Sequence, residues 1–552
     1  MDLGVGLPAA RSGRVRAPST WLSWVNLVVV CVVVGRIHAY FVRHPGPIGF
    51  DDGYTISLGE RLIDGHWLPY VDGCSHRGPL LYVAAGLAQL ATGRFGWAGA
   101  RLLSIVTTYA SLIGVFGIGV AARRPVAGAL AATFFAWSAL VVFAGSPGYA
   151  ITGEGVASPL VVLSFLLATV ALARRPRPGR RLAWLAASGV LAAAGGLAKQ
   201  TALPLIVPLI VWVVAETSVS EIEPRSRRRA LAALLGGFLG TLVAVVAVYA
   251  LHGELRTFWY WYYTYNADIY MSGYHNVDVA QAFASFMADT PWAVGGFVFV
   301  TAACFARPFA LMVRSPNGIL RGYAASGLES TAASVALLLF ASAVAALRFW
   351  PHYFLCVLPF VGLIVGVRGD EAIRARGGEE RSAVATLVLL AITTSFVSFA
   401  ADRRLAAFPH GLAFDPAHSE RVCSVVDARS RPGESLFVWG FNGDLYLSCR
   451  RRPATRFTYL TLVAGTVPPD WSTLREDRVA RGSRELLIRD LEKERPPVIL
   501  DADNPTWHVS FKQVPVVRDY IEARYCFEGK SPTQYAGDVS IWVRKDRASC
   551  AP

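Results

Sequence analysis

The chain of 552 residues is 54% hydrophobic and only 17% charged, where a soluble domain carries about 25% charge; a single water-soluble fold is excluded. The net charge of +14 invites a nucleic-acid reading, but the arginines lie between apolar blocks, and nucleic-acid binding needs a basic soluble face. Membrane topology accounts for them instead.

Residues 1–20 place Arg11, Arg14 and Arg16 ahead of the apolar run Trp21 to Val42. That run is longer than the core of a cleaved signal peptide, so it reads as an uncleaved first span. A helix crosses about 30 Å of hydrocarbon with about 20 apolar residues. On that measure spans are predicted over 21–42, 97–121, 125–144, 157–173, 182–198, 201–216, 230–251, 291–313, 331–347, 353–367 and 382–400, about eleven in all.

An N-terminus in the cytoplasm sends the arginine-rich loops inward: Arg123/Arg124, Arg174 to Arg181, Arg225 to Arg229, the segment with Arg307, Arg314 and Arg321, and Arg368 to Arg381. The loops near 145–156, 199–201 and 348–352 then face outward with almost no basic residues, as the positive-inside rule requires. The predicted organisation is a cytoplasmic tail 1–20, an all-α membrane bundle 21–400 with a first outward loop 43–96, and an extracytoplasmic soluble domain 401–552, in a multi-pass protein of the cell membrane.

In that last segment Leu436–Trp439, Val498–Leu500 and Val539–Val543 read as strands, and 473–494 as a charged amphipathic stretch, which predicts a small α/β domain without a catalytic motif. Its four cysteines, Cys423, Cys449, Cys526 and Cys550, sit where oxidation is permitted. Four cysteines allow three pairings, which the sequence leaves open; the local pairs Cys423–Cys449 and Cys526–Cys550 are preferred, and the plainer alternative is four free thiols buried as small apolar groups.

The first outward loop carries the chemistry. Asp51 and Asp52 stand at the membrane surface, Tyr54 to Ile63 and Leu80 to Leu90 have helical apolar periods too short to span, and Arg77 lies near the loop's end. Short apolar helices of this kind lie in the interface. A carboxylate can take the proton of an acceptor hydroxyl, and an arginine can hold a phosphate leaving group bidentately. The plainer alternative is that the two acids cap the helix starting near Tyr54.

The order Asp51-Asp52-Gly53-Tyr54, a helix, then Arg77-Gly78-Pro79-Leu80 resembles the first loop of GT-C membrane glycosyltransferases, in the branch of protein O-mannosyltransferases and lipid A aminoarabinose transferases. That family typically shows Asp-Glu-Gly-Tyr and later Lys-Pro-Pro-Leu, so both elements keep charge type but change geometry, and arginine for lysine is not a neutral exchange. Further matches follow in order: Glu154 within Gly153 to Pro159, Lys199 followed by Pro204, and Arg348 to Pro359 with His352 and Tyr353. The resemblance covers roughly residues 40–400.

What the resemblance implies is a helical GT-C bundle with juxtamembrane helices, a sugar donor on polyprenyl phosphate, a glycan, lipid or protein acceptor, and transfer that inverts the anomeric centre. Asp51 matches the catalytic base and Arg77 the donor-phosphate ligand, with Asp52 and Glu154 as further acids and Lys199, Arg348, His352 and Tyr353 on the donor side. No cofactor is expected. The ten histidines show no ligand spacing, although oligosaccharyltransferases of the superfamily use a divalent ion, for which Asp51 and Glu154 would be the ligands.

Each residue has a plainer role. Lys199, Arg348 and His352 at the membrane boundary can snorkel toward headgroups, Glu154 between two glycines can be a solvated loop acid, and Phe258 to Tyr263 most often marks an interfacial aromatic belt. Two other functions fit a multi-span bundle. A transporter or flippase would carry acids at mid-membrane depth and an internal repeat, neither of which is evident here. A non-catalytic assembly or sensor protein would leave the charged group without a role.

Overall fold

The computed structural model describes residues 17–43, 50–65, 67–94, 96–144, 151–174, 176–219, 224–271, 310, 320, 323–324, 326–345, 351–375, 416–466, 472–502, 509–532 and 538–547. Within them the protein is mostly helical with one small sheet. The bundle helices are α1 (Ala17–Arg43), α4 (Trp97–Ala121), α5 (Pro125–Ala144), α6 (Gly153–Ala173), α7 (Pro178–Ala198), α8 (Ile206–Val219), α9 (Pro224–Leu251), α11 (Gly327–Ala345) and α12 (Leu358–Ala375). Between α1 and α4 lie α2 (Phe50–Asp64) and α3 (Pro79–Thr92), and α10 (Leu255–Trp259) follows α9.

Five described segments are long and apolar enough to cross a membrane: Trp97–Ala121, Gly153–Ala173, Pro178–Ala198, Gln200–Ser218 and Pro224–Leu251. The last shows why apolar surface here means lipid. Leu239, Val243, Val246, Val248 and Leu251 of α9 are exposed along one helix, a patch that a soluble monomer does not leave open to water. The expected spans over 291–313 and 382–400 lie outside the described residues, Ala310 aside.

Not every loop arginine is a lone topological charge. Arg124 meets Glu371 at 3.3 Å, Arg368 meets Glu329 at 2.7 Å, and Arg374 meets Asp370 at 3.0 Å. The first two pairs tie the start of α5 and the start of α11 to α12, and the third lies within α12.

The sheet has the order β1-β2-β4-β3, from β1 (Leu436–Trp439), β2 (Val498–Ala502), β3 (Tyr525–Pro532) and β4 (Asp538–Arg544). β1 and β2 run parallel, joined through the helix Ser483–Glu494, and the other pairs are antiparallel. Successive side chains alternate between faces. Leu436 and Val438 therefore pack with Val422, Val426 and Leu445 on one side, while Phe437 and Trp439 join a different core that also holds Tyr54, Tyr70, Tyr249 and Phe258. One face of the sheet thus completes its core with residues of the first loop and of α9–α10.

Cys423 and Cys449 form a disulfide, the first of the two local pairs expected. Cys526 is also disulfide-bonded, and Cys550 lies outside the described residues.

Candidate active site

Helix α2 begins at Phe50, not near Tyr54 as its apolar period suggested. Asp51 and Asp52 therefore belong to its first turn rather than preceding it as caps, where the helix dipole favours negative charge. Their side chains lie outside the described residues.

Arg77 returns to this helix. Its guanidinium Nη1 donates to Thr55 Oγ1 at 3.3 Å, and Thr55 stands four residues after Asp51 and three after Asp52, the spacing that shares one helix face. Two further contacts set the arginine's backbone: Tyr70 donates its hydroxyl to the Arg77 carbonyl at 2.6 Å, and Arg77 N donates to Ser75 Oγ at 3.3 Å. The next residue explains why the loop tolerates no side chain. A Cβ on Gly78 would overlap the carbonyl oxygens of Leu197 and Ala198, so the Arg77–Gly78 backbone presses directly against the end of α7. Lys199 follows immediately, within electrostatic reach of Arg77.

Lys199 is held from the other side by α6. Thr152 caps that helix by accepting from Gly155 N at 3.1 Å, which leaves Glu154 in the first turn. Glu154 is not the solvated loop acid its glycine neighbours suggested: it is 2% exposed and meets Lys199 Nζ at 2.8 Å. Nor does Lys199 snorkel. Its ammonium lies 4.7 Å from the centre of the Tyr353 ring, which His352 meets edge-on at 4.8 Å, and His352 acts electrostatically on Glu154. Arg77, Glu154, Lys199, His352 and Tyr353 thus come together at one end of the bundle. Arg348 lies outside the described residues.

Sequence reasoning missed the framework of this cluster. After α10 the chain continues as a π-helix, Tyr260–Tyr270, a form often found at functional sites. From it Asn266 donates to the His76 carbonyl at 2.7 Å and Tyr262 to the Gly196 carbonyl at 3.0 Å. Gln200 donates to the carbonyls of His76 and Tyr262 at 3.4 and 3.3 Å. The segments bearing Arg77 and Lys199 are therefore laced to one strap. The aromatic run Phe258 to Tyr263 is only partly the expected belt: Trp259 and Tyr263 are exposed, but Phe258 and Trp261 are buried in the shared core.

The sheet segment grips the first loop through charge. Asp490 accepts from Arg456 N, Nε and Nη2, each at 2.9 Å, and Arg61 stands 3.8 Å away. Arg456 then donates to the Val71 carbonyl at 2.9 Å while its own carbonyl accepts from Cys74 N at 2.8 Å. Asp490→Ala would leave two guanidinium groups without their shared anion, so a loss of about 3–5 kcal/mol is expected, read as a lower melting temperature and faster proteolysis of the sheet segment. An unchanged melt would mean that the clamp carries no net stability.

Among the described residues no group of three or more His, Cys, Asp or Glu side chains gathers as a metal site. Of the two acids named for a divalent ion, Glu154 is paired with the Lys199 ammonium, and the Asp51 side chain lies outside the described residues.

No protein-family model matches the chain, and no curated protein matches it. Solved structures do. ArnT from Cupriavidus metallidurans bound to undecaprenyl phosphate aligns over 96% of this chain and 98% of its own, with a TM-score of 0.55 and 16% identity. The apo form of that protein aligns over 95% and 99%, at 0.55 and 15%. The Archaeoglobus fulgidus oligosaccharyltransferase tethered with an acceptor peptide aligns over 92% of this chain and 72% of its own, at 0.50 and 12%. At such identities the likeness is one of fold: this chain has the fold of the GT-C glycosyltransferases.

Proposed function

We propose that the protein is a multi-pass membrane glycosyltransferase that moves a sugar from a polyprenyl-phosphate donor to an acceptor hydroxyl at the outer face of the membrane. Its N-terminus is cytoplasmic, residues 21–400 form the transferase bundle, and residues 401–552 form an extracytoplasmic domain over its outer end. The carrying observation is the guanidinium of Arg77 on the Asp51 face of α2, with its own backbone pressed against the segment that presents Lys199. Undecaprenyl phosphate in the structure of like fold is the kind of ligand such cations suit.

The reaction follows from the charges. Asp51 accepts the proton of the acceptor hydroxyl as its oxygen attacks the anomeric carbon. The bond from that carbon to the phosphate oxygen breaks, and the electron pair leaves with the lipid phosphate. Attack opposite the leaving group inverts the centre. Arg77 offers two parallel donors to the phosphate, and Lys199 adds a point charge. Cations placed before the reaction and shielded from water stabilise developing charge more strongly than the same groups in bulk solvent. Glu154 keeps the Lys199 ammonium aimed and ionised in a buried setting.

The test uses the full chain in lipid nanodiscs with undecaprenyl- and decaprenyl-phosphate mannose, arabinose and aminoarabinose, following release of free lipid phosphate. Turnover of at least one donor is expected, with Arg77→Ala raising the donor KM by about 10- to 100-fold, the worth of a charge-assisted hydrogen bond. A wild type inert toward the whole panel, or an Arg77→Ala protein with an unaltered donor KM, defeats the respective assignment.

A further inference from the structure

The strand β1 ends at Trp439, and the chain turns through Gly440 to Asp444 into the short helix Asp444–Ser448. This turn lies directly on the acid-bearing end of α2. Tyr54 donates its hydroxyl to the Gly440 carbonyl at 2.9 Å. A Cβ on Gly443 would overlap Tyr54, and one on Gly53 would overlap the backbone of Gly443 and Asp444. Two backbones approach this closely only because glycine faces each of them, and Gly53 is the residue next to Asp52 in the first-loop motif.

The turn carries one polar group that the fold itself does not use up, on Asn442. Asn442 and Asp444 are each 1% exposed, and the Asn442 amide oxygen has no hydrogen-bond partner among the described residues. A buried acceptor left unpaired costs free energy that a donor from a ligand would return. The position matters too. β1 and β2 are parallel, and parallel sheets bind ligands in the crevice beyond the carboxyl ends of their strands. Gly440, with φ +132°, packs on the Ala502 carbonyl where β2 ends.

We propose that the Gly440–Asp444 turn is the acceptor-side wall of the transfer site, where Asn442 and Asp444 bind a neutral, hydroxyl-bearing acceptor such as a sugar ring. This rests on the transferase reading above. Phosphate is disfavoured here, since the Asp444 carboxyl beside Asn442 repels a second anion. Burial pushes the Asp444 carboxyl up to about 7, so near neutral pH it offers a sugar hydroxyl both a donor and an acceptor form. An amide does the same in one state.

The experiment again uses the full chain in nanodiscs, with a lipid-linked sugar from the panel above and octyl glucoside, octyl galactoside and octyl mannoside as acceptors. For Asn442→Ala, the acceptor KM is expected to rise by about tenfold more than the donor KM, the loss of one hydrogen bond, and Asn442→Ser to recover part of it. Asp444→Asn is expected to shift the pH dependence of the acceptor KM around neutrality, a readout that a purely structural contact would not move. Acceptor and donor constants moving together in Asn442→Ala overturns the assignment, as does a wild type that only hydrolyses its donor and ignores every glycoside. A wild type that turns over no donor defeats the transferase reading and this inference with it; an active wild type with an unmoved acceptor KM in Asn442→Ala defeats the inference alone.

Discussion

Asp51→Asn is expected to lower transfer by about 10²–10⁴-fold, the range supplied by a positioned general base, while leaving donor binding in place. Asparagine has nearly the shape of aspartate. What it loses is the capacity to take a proton. In the proposed mechanism donor binding rests on Arg77 and Lys199, which the substitution does not touch, so the defect belongs in kcat and not in the donor KM. Adjacent helix positions are splayed by about 100°, so Asp51 and Asp52 do not serve one proton equally, and Asp52→Asn is expected to be the milder change. Steady-state kinetics of the two variants decide it. Turnover surviving in Asp51→Asn, or an equal collapse in both, removes Asp51 as base.

Lys199→Met is expected to cost about 3–5 kcal/mol, the usual result of removing one partner from a buried ion pair. The Glu154 side chain is 3% exposed and that of Lys199 19%, so the abandoned carboxylate has no route to water. It is left with only the electrostatic influence of His352 at the start of α6. The cause is testable, because the double variant Lys199→Met/Glu154→Gln removes the stranded charge and should regain much of the loss in a thermal melt. Activity separates from stability here: the double variant should fold and still be slow, since the cation proposed to receive the phosphate is gone. A single variant that melts like wild type would show the pair to be solvated.

The contrast between Asp51 and Glu154 shows what was legible beforehand. Asp51 is a candidate because a charged pair next to a long apolar run stands out, and because Arg77 follows it in a family-like order. Glu154 was noticed but misjudged, since two flanking glycines look like a loop, and only the fold shows Thr152 capping a helix there. The strap residues Asn266 and Gln200 carry no motif. They work through side-chain amides aimed at backbone carbonyls, an interaction that any asparagine or glutamine can make and that only proximity selects.

The sheet segment was half visible in the same way. Leu436–Trp439 was predicted residue for residue from a short apolar run, whereas β3, with Glu528 and Lys530 on an edge strand, has too little apolar pattern to stand out. Its alternation told nothing of what the second face covers.

The amino-acid sequence on its own determined which of the described stretches would be apolar helices, with Trp97–Ala121 and Pro125–Ala144 matched end to end, and which segments carry the charged residues. Hydrophobic length and local capping act over a few residues and are written along the chain. Only the tertiary structure decided that Gly78 packs on the end of α7 beside Lys199, that Glu154 is buried against Lys199, and that the turn after β1 lies on Gly53. Those contacts join residues separated by as many as 391 positions, Gly53 to Asp444, and are selected by the packing of backbones against glycines and of buried charge against opposite charge, neither of which leaves a local pattern.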